Sequence, residues 1–146
     1  MELQEIFDKA VLGVLTQQTQ CKDGHACALR SDDGNSKCAV GWLIPDEDYH
    51  ADLELESDLS SYTYEDDQMN DDFVETNLST ALEKQIGEIT QEKFSLLLDL
   101  QTAHDEDIFI GEIGNFTHIM ADRFIRVASN HGLSEEVIFK FMETHK

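Results

Sequence analysis

Four side chains with an affinity for soft metals fall within one short stretch: Cys21, His25, Cys27 and Cys38. Thiolate and imidazole groups suit zinc. Their spacing, C-x3-H-x-C-x10-C, matches none of the usual knuckle patterns. Alternation in the flanking residues turns Cys27 and Cys38 towards an apolar face, where free cysteine packs as a small hydrophobe. The expectation is therefore structural thiols, with no metal and no other cofactor. A second chemistry would make Cys27 or Cys38 a nucleophile, with His104 as base and Asp105 beside it. The residue types are present, but no motif of defined geometry joins them. A histidine at a helix C-terminus is more simply a cap or a packed polar residue. The string Asp32-Asp33-Gly34-Asn35 suggests a calcium loop. Such a loop would need Glu at its twelfth position, where Leu43 stands. Turn chemistry accounts for these residues without an ion.

Charge is the strongest signal. The chain has 31 Asp and Glu against 10 Lys and Arg, a net −21 in 146 residues. The 46 residues from Cys38 to Glu83 contain no Lys or Arg, and 13 acids lie between Asp46 and Glu75. A charge run is ordinarily a solvated face. A belt that cannot be neutralised from within its own stretch has a sharper reading. Proteins that bind nucleic acid do so with basic grooves, and a surface of ordered carboxylates can occupy one. On that reading Asp46, Glu47, Asp48, Glu65, Asp66, Asp67, Asp71 and Asp72 meet a basic partner. Tyr62 and Tyr64, with Tyr49 and Phe73, are the aromatic anchors. The expected partner is a basic, nucleic-acid-binding protein. Direct contact with nucleic acid or an anionic membrane is excluded by the same charge. The alternatives are an accessory domain whose acidity serves only solubility, or a zinc or Cys-His enzyme using Cys27, Cys38 and His104.

The N-terminus, MELQEIFDKA, carries acids where a secretion signal would carry positive charge. No run approaches the ~18 apolar residues of a membrane span. Three cysteines suggest no disulfide framework, so the expected setting is a reducing cytoplasm.

The elements that must position these groups follow from periodicity. Leu3, Ile6, Phe7, Ala10, Val11, Val14 and Leu15 form one apolar stripe, a helix over residues 2–17. Ala26–Arg30 and Lys37–Ile44 read as two strands of a hairpin turning at Asp33-Gly34. That register sets Leu29 opposite Cys38 and places Cys27, Leu29, Cys38, Val40 and Trp42 on one face. Arg30 and Lys37 pair on the other. Pro45 opens a short helical turn, Asp46 to Tyr49. Apolar residues run through the acidic segment 46–75, which is expected to be short helices with irregular links.

Further helices are expected from about Ser79 to Glu88, from a Thr90 cap towards His104, from an Asn115 cap to Gly132, and from Ser134 onward. The predicted class is α+β: a single, mostly helical domain over residues 1–146, with one antiparallel β-hairpin packed on the helices.

The strings Cys27-Ala-Leu-Arg30, Asp33-Gly34, Lys37-Cys-Ala-Val-Gly41, Leu43-Ile-Pro-Asp-Glu47 and Tyr49 resemble a signature of small bacterial and phage proteins. The later segments LLDLQTAHD (97–105) and VASNHGL (127–133) are similar to that family's second half. The segment from about Asp52 to Glu83 departs from the family pattern and is more acidic. The resemblance implies a shared small α+β core and phage or mobile-element company. It brings no activity and no catalytic residues.

Overall fold

In the computed structural model, helix α1 (Leu3–Gln17) is the central element of the described fold, packed against the three C-terminal helices and the turn at Gly41–Leu43. The structure describes residues 2–17, 22–23, 26–27, 29, 37–50, 53–54, 64–65, 68–69, 76–105 and 116–144. Ile6, Phe7, Ala10, Val11, Gly13, Val14 and Leu15 of α1 are all buried. They meet the C-terminal helices on one side and the segment after Lys37 on the other. The spacing of these residues at three and four is what makes so broad an apolar face.

Four more helices complete the described fold: α2 (Asn77–Ile86), α3 (Gln91–Asp105), α4 (Phe116–His131) and α5 (Glu136–Thr144). Local signals set most of their ends. Thr76 Oγ1 accepts the Ser79 amide at 3.0 Å to start α2, and Thr90 Oγ1 accepts the Lys93 amide at 3.2 Å to start α3. Lys93 Nζ donates to the Ile86 carbonyl at 2.5 Å, placing a cation at the negative end of α2. At the end of α4, Leu133 N donates to Ala128 O (2.9 Å) and Gly132 N to Ser129 O (3.4 Å), a Schellman closure. Ser134 Oγ then accepts the Glu136 amide at 3.2 Å to open α5. The expected Asn115 cap and the Asp33-Gly34 turn lie outside the described residues.

The α+β class is corrected by this structure. The described residues are mostly helical, and among them no hairpin packs on the helices. Among the described residues the ladders are two, each two residues deep: Lys22–Asp23 with Ala26–Cys27, and Tyr64–Glu65 with Gln68–Met69. The expected second strand, Lys37–Ile44, curls instead into a 3-10 turn at Gly41–Leu43. Cys38 N does reach Leu29 O at 3.1 Å, the point where the described part of the expected hairpin pairs. Trp42 N turns back to Cys38 O (3.1 Å), Leu43 N to Val40 O (3.0 Å) and Ile44 N to Gly41 O (3.2 Å).

Burial explains why the curl wins. Cys38, Ala39, Val40, Leu43 and Ile44 are all within 2 % of complete burial. A half-exposed strand would have left every second one in water. Curling sets the turn Gly41–Leu43 against α1 and α2 and takes all five residues into the core. Gly41 permits it, because its backbone lies so close to Leu29 O that a Cβ would overlap that oxygen.

Gly13 performs the matching service on α1, where the Trp42 indole occupies the volume a Cβ would need. Lys37 Nζ lies 4.7 Å from the centroid of the Trp42 ring; Arg30, its expected partner across the hairpin, lies outside the described residues.

Two glutamine side chains fasten the ends of α1. Gln17 Nε2 donates to Lys37 O (2.6 Å), Lys37 N donates to Gln17 Oε1 (2.8 Å), and Trp42 Nε1 donates to the same oxygen (3.2 Å). Gln4 does likewise at the other end: Nε2 donates to Ser134 O (3.0 Å) and Oε1 accepts Ser134 N (2.7 Å). In each case the side-chain amide stands in for a peptide group of a neighbouring strand. No described helix is long and apolar enough to cross a membrane.

Candidate interaction surface

The acidic belt begins where Pro45, in an extended conformation (φ −65°, ψ 156°), sends the chain into a 3-10 turn, Asp46–Asp48. Asp48 N donates to Pro45 O at 3.0 Å and Tyr49 N to Asp46 O at 3.3 Å. Three consecutive acids are thus held on a short, rigid corner. The Asp46 side chain is 80 % exposed, and Glu47 is exposed as well.

Two cations come to this corner from outside the belt. Lys37 Nζ lies 3.5 Å from Asp46 Oδ1, and Lys84 Nζ of α2 lies 3.4 Å from Asp48 Oδ1. These are the last lysine before and the first lysine after the 46-residue cation-free stretch. The fold brings both ends of that stretch together at its first two aspartates. Periodicity could not have found this, since it depends on where α2 docks.

Not every acid in the belt faces outward. Glu54 Oε2 accepts the Leu29 amide at 3.0 Å, and its Oε1 accepts the Tyr49 hydroxyl at 3.3 Å. Its neighbour Leu53 is wholly buried. Glu54 and Tyr49 are therefore joints that tie the belt's start to the core, and Tyr49 is a joint where an anchor was expected. Of the remaining expected contact residues, Tyr64 and Glu65 form one side of a two-residue ladder. Tyr62, Asp66, Asp67, Asp71 and Asp72 lie outside the described residues, as does Phe73.

Of the Cys-His arrangement, Cys38 and His104 lie in the core, and the Cys27 side chain lies outside the described residues. Cys38 is fully buried, and its Sγ accepts the Gly41 amide at 3.2 Å, inside the 3-10 turn. His104 is fully buried on α3. One turn earlier, Gln101 Oε1 accepts the Val40 amide at 3.2 Å, while Arg123 of α4 donates to Ala103 O at 3.0 Å near the end of α3. These polar groups serve as connections between elements in a dry interior. Among the described residues, no group of three or more His, Cys, Asp or Glu side chains is placed to hold a metal ion. Cys21 and His25 lie outside them.

The three segments that carry the family resemblance meet one another. Lys37–Gly41 touches Gln101 through the Val40 amide, and Asp99 in the same α3 segment lies 2.7 Å from His131 Nε2 in the 127–133 segment. Fold and surface together define a mostly helical protein with an acidic corner that its own lysines only partly cover. No protein-family profile matches the chain, and neither the curated proteins nor the solved structures contain a significant match. The resemblance accordingly gains no independent support.

Proposed function

We propose that this is a non-enzymatic acidic interaction protein, of phage or mobile-element origin, acting in the host cytoplasm. It serves as a decoy that occupies the basic groove of a nucleic-acid-binding protein. The observation that carries this reading is the balance of charge at the belt. Its two flanking lysines are already engaged, at Asp46 and Asp48. The acids from Asp52 to Glu75 outnumber anything those two could neutralise. Carboxylates left in that state are held at a cost in self-repulsion, which a basic partner relieves. The competing role, acidity for solubility alone, needs no particular concentration of charge in one stretch.

The test is affinity capture of a basic partner with the purified chain at rising salt, repeated with Asp66, Asp67, Asp71 and Asp72 all changed to Asn. Exposed ion pairs contribute only ~0.2–1 kcal/mol each, so four together are needed for a clear loss. The expected result is a partner lost with salt, lost again with the fourfold variant, and displaced by its own nucleic acid. A partner that binds the variant as tightly, or holds nucleic acid and this protein together, would defeat the decoy reading.

A further inference from the structure

The outer face of α5 carries an aromatic residue that the fold does not use. Ile138 and Phe141 are buried, and Val137 and Met142 pack against the core. Phe139 is 52 % exposed. Glu135, Phe139 and Glu143 recur every four residues, so they lie along one stripe with about 6 Å of helix rise between neighbours. With Ser134, Glu136 and Lys140 they line a shallow depression. Glu136 Oε1 holds Lys140 Nζ at 3.1 Å, which engages the one lysine of this face among the described residues. Among the described residues no ion pair engages Glu135 or Glu143.

We infer that this stripe is a docking site for a basic amphipathic helix of a partner protein, its apolar side seated on Phe139 and its Lys or Arg side chains against Glu135 and Glu143. An amphipathic helix presents apolar and cationic residues at the same three- and four-residue spacing as the stripe itself. A second copy of this chain does not fit. Two-fold pairing across Phe139 would bring Glu135 and Glu143 of one copy against the same two glutamates of the other, in molecules that each carry −21. The surface is separate from the acidic segment and stands without the decoy reading.

The experiment titrates the isotope-labelled full chain with a synthetic helical peptide of Leu and Lys in amphipathic order, followed by amide chemical shifts. A scrambled peptide of the same composition is the control. The shifts are expected to centre on residues 134–143. The scrambled peptide should bind more weakly. Phe139→Ser should weaken binding about tenfold, corresponding to ~1.4 kcal/mol. Glu135→Gln with Glu143→Gln should weaken it mainly at low salt. Phe139 is a surface residue, so circular dichroism of the variant should match the parent. Shifts confined to other elements, equal binding by the scrambled peptide, or unchanged affinity in Phe139→Ser would overturn the proposal. So would concentration-dependent self-association abolished by Phe139→Ser, since a second copy would then be the occupant.

Discussion

The single Trp of the chain is fixed from three sides. Its ring lies on the bare backbone of Gly13, Lys37 Nζ stands 4.7 Å from the ring centroid, and its Nε1 donates to Gln17. An indole so held cannot swing away cheaply. Two effects oppose each other in Gly13→Ala. A helix interior gains about 1 kcal/mol from the change on propensity alone. Overpacking a filled site costs typically ~1–3 kcal/mol, and here the new methyl would fall on ring carbons. Overpacking should win, giving a net loss of up to about 2 kcal/mol in urea unfolding and a red-shifted Trp emission as the ring is pushed out. A more stable variant with unchanged emission would show that the ring does not rest on residue 13.

Between elements, the principal joints are side-chain amides and carboxylates received by backbone groups. Gln17 gives the chain leaving α1 two hydrogen bonds to Lys37 just before the buried turn. Gln101 and Glu54 receive the amides of Val40 and Leu29. Gln17→Ala leaves the Lys37 peptide groups and the indole N–H without that partner, at an expected cost of about 1–3 kcal/mol. Gln17→Glu should not restore the parent stability, because a carboxylate cannot donate to Lys37 O. Equilibrium unfolding of both variants checks this. If Gln17→Ala matched the parent in stability, water would be serving Lys37 equally well.

The helices were legible in the sequence because their signals are local: apolar spacing in α1, a hydroxyl at Thr90, Gly132 after α4. The turn at Cys38–Ile44 was not. Cys38, Val40 and Trp42 satisfy a period of two, but Ala39, Leu43 and Ile44 are just as apolar. A short apolar run of this kind does not distinguish strand from curl. The site was legible as exposed charge at Asp46 and Glu47. The inward use of Glu54 and the arrival of Lys84 depend on contacts across the fold, which no spacing encodes.

At the scale of the molecule, ion pairing and self-repulsion make opposite demands. The surface pairs Lys37–Asp46, Lys84–Asp48 and Lys140–Glu136 each have at least one well-exposed partner; such pairs contribute about 1 kcal/mol or less each, and salt weakens them. Against them stands a net −21, whose mutual repulsion spans the surface and opposes compaction. Salt screens this as well, since the Debye length falls from about 30 Å at 0.01 M to about 8 Å at 0.15 M. With three acids for every base, unlike pairs are limited by the scarce cations, while like pairs grow with the square of the excess. Repulsion should dominate. Sodium chloride raised across that range should therefore stabilise the protein and lift its thermal midpoint by several degrees, at about 3–4 °C per kcal/mol for a chain of this size. The variant with Asp66, Asp67, Asp71 and Asp72 changed to Asn should start from a higher midpoint at low salt and respond less to added salt. A midpoint that falls as salt rises would show that the few ion pairs outweigh the excess charge. The acidic surface would then be an organised network rather than a field awaiting a cationic partner.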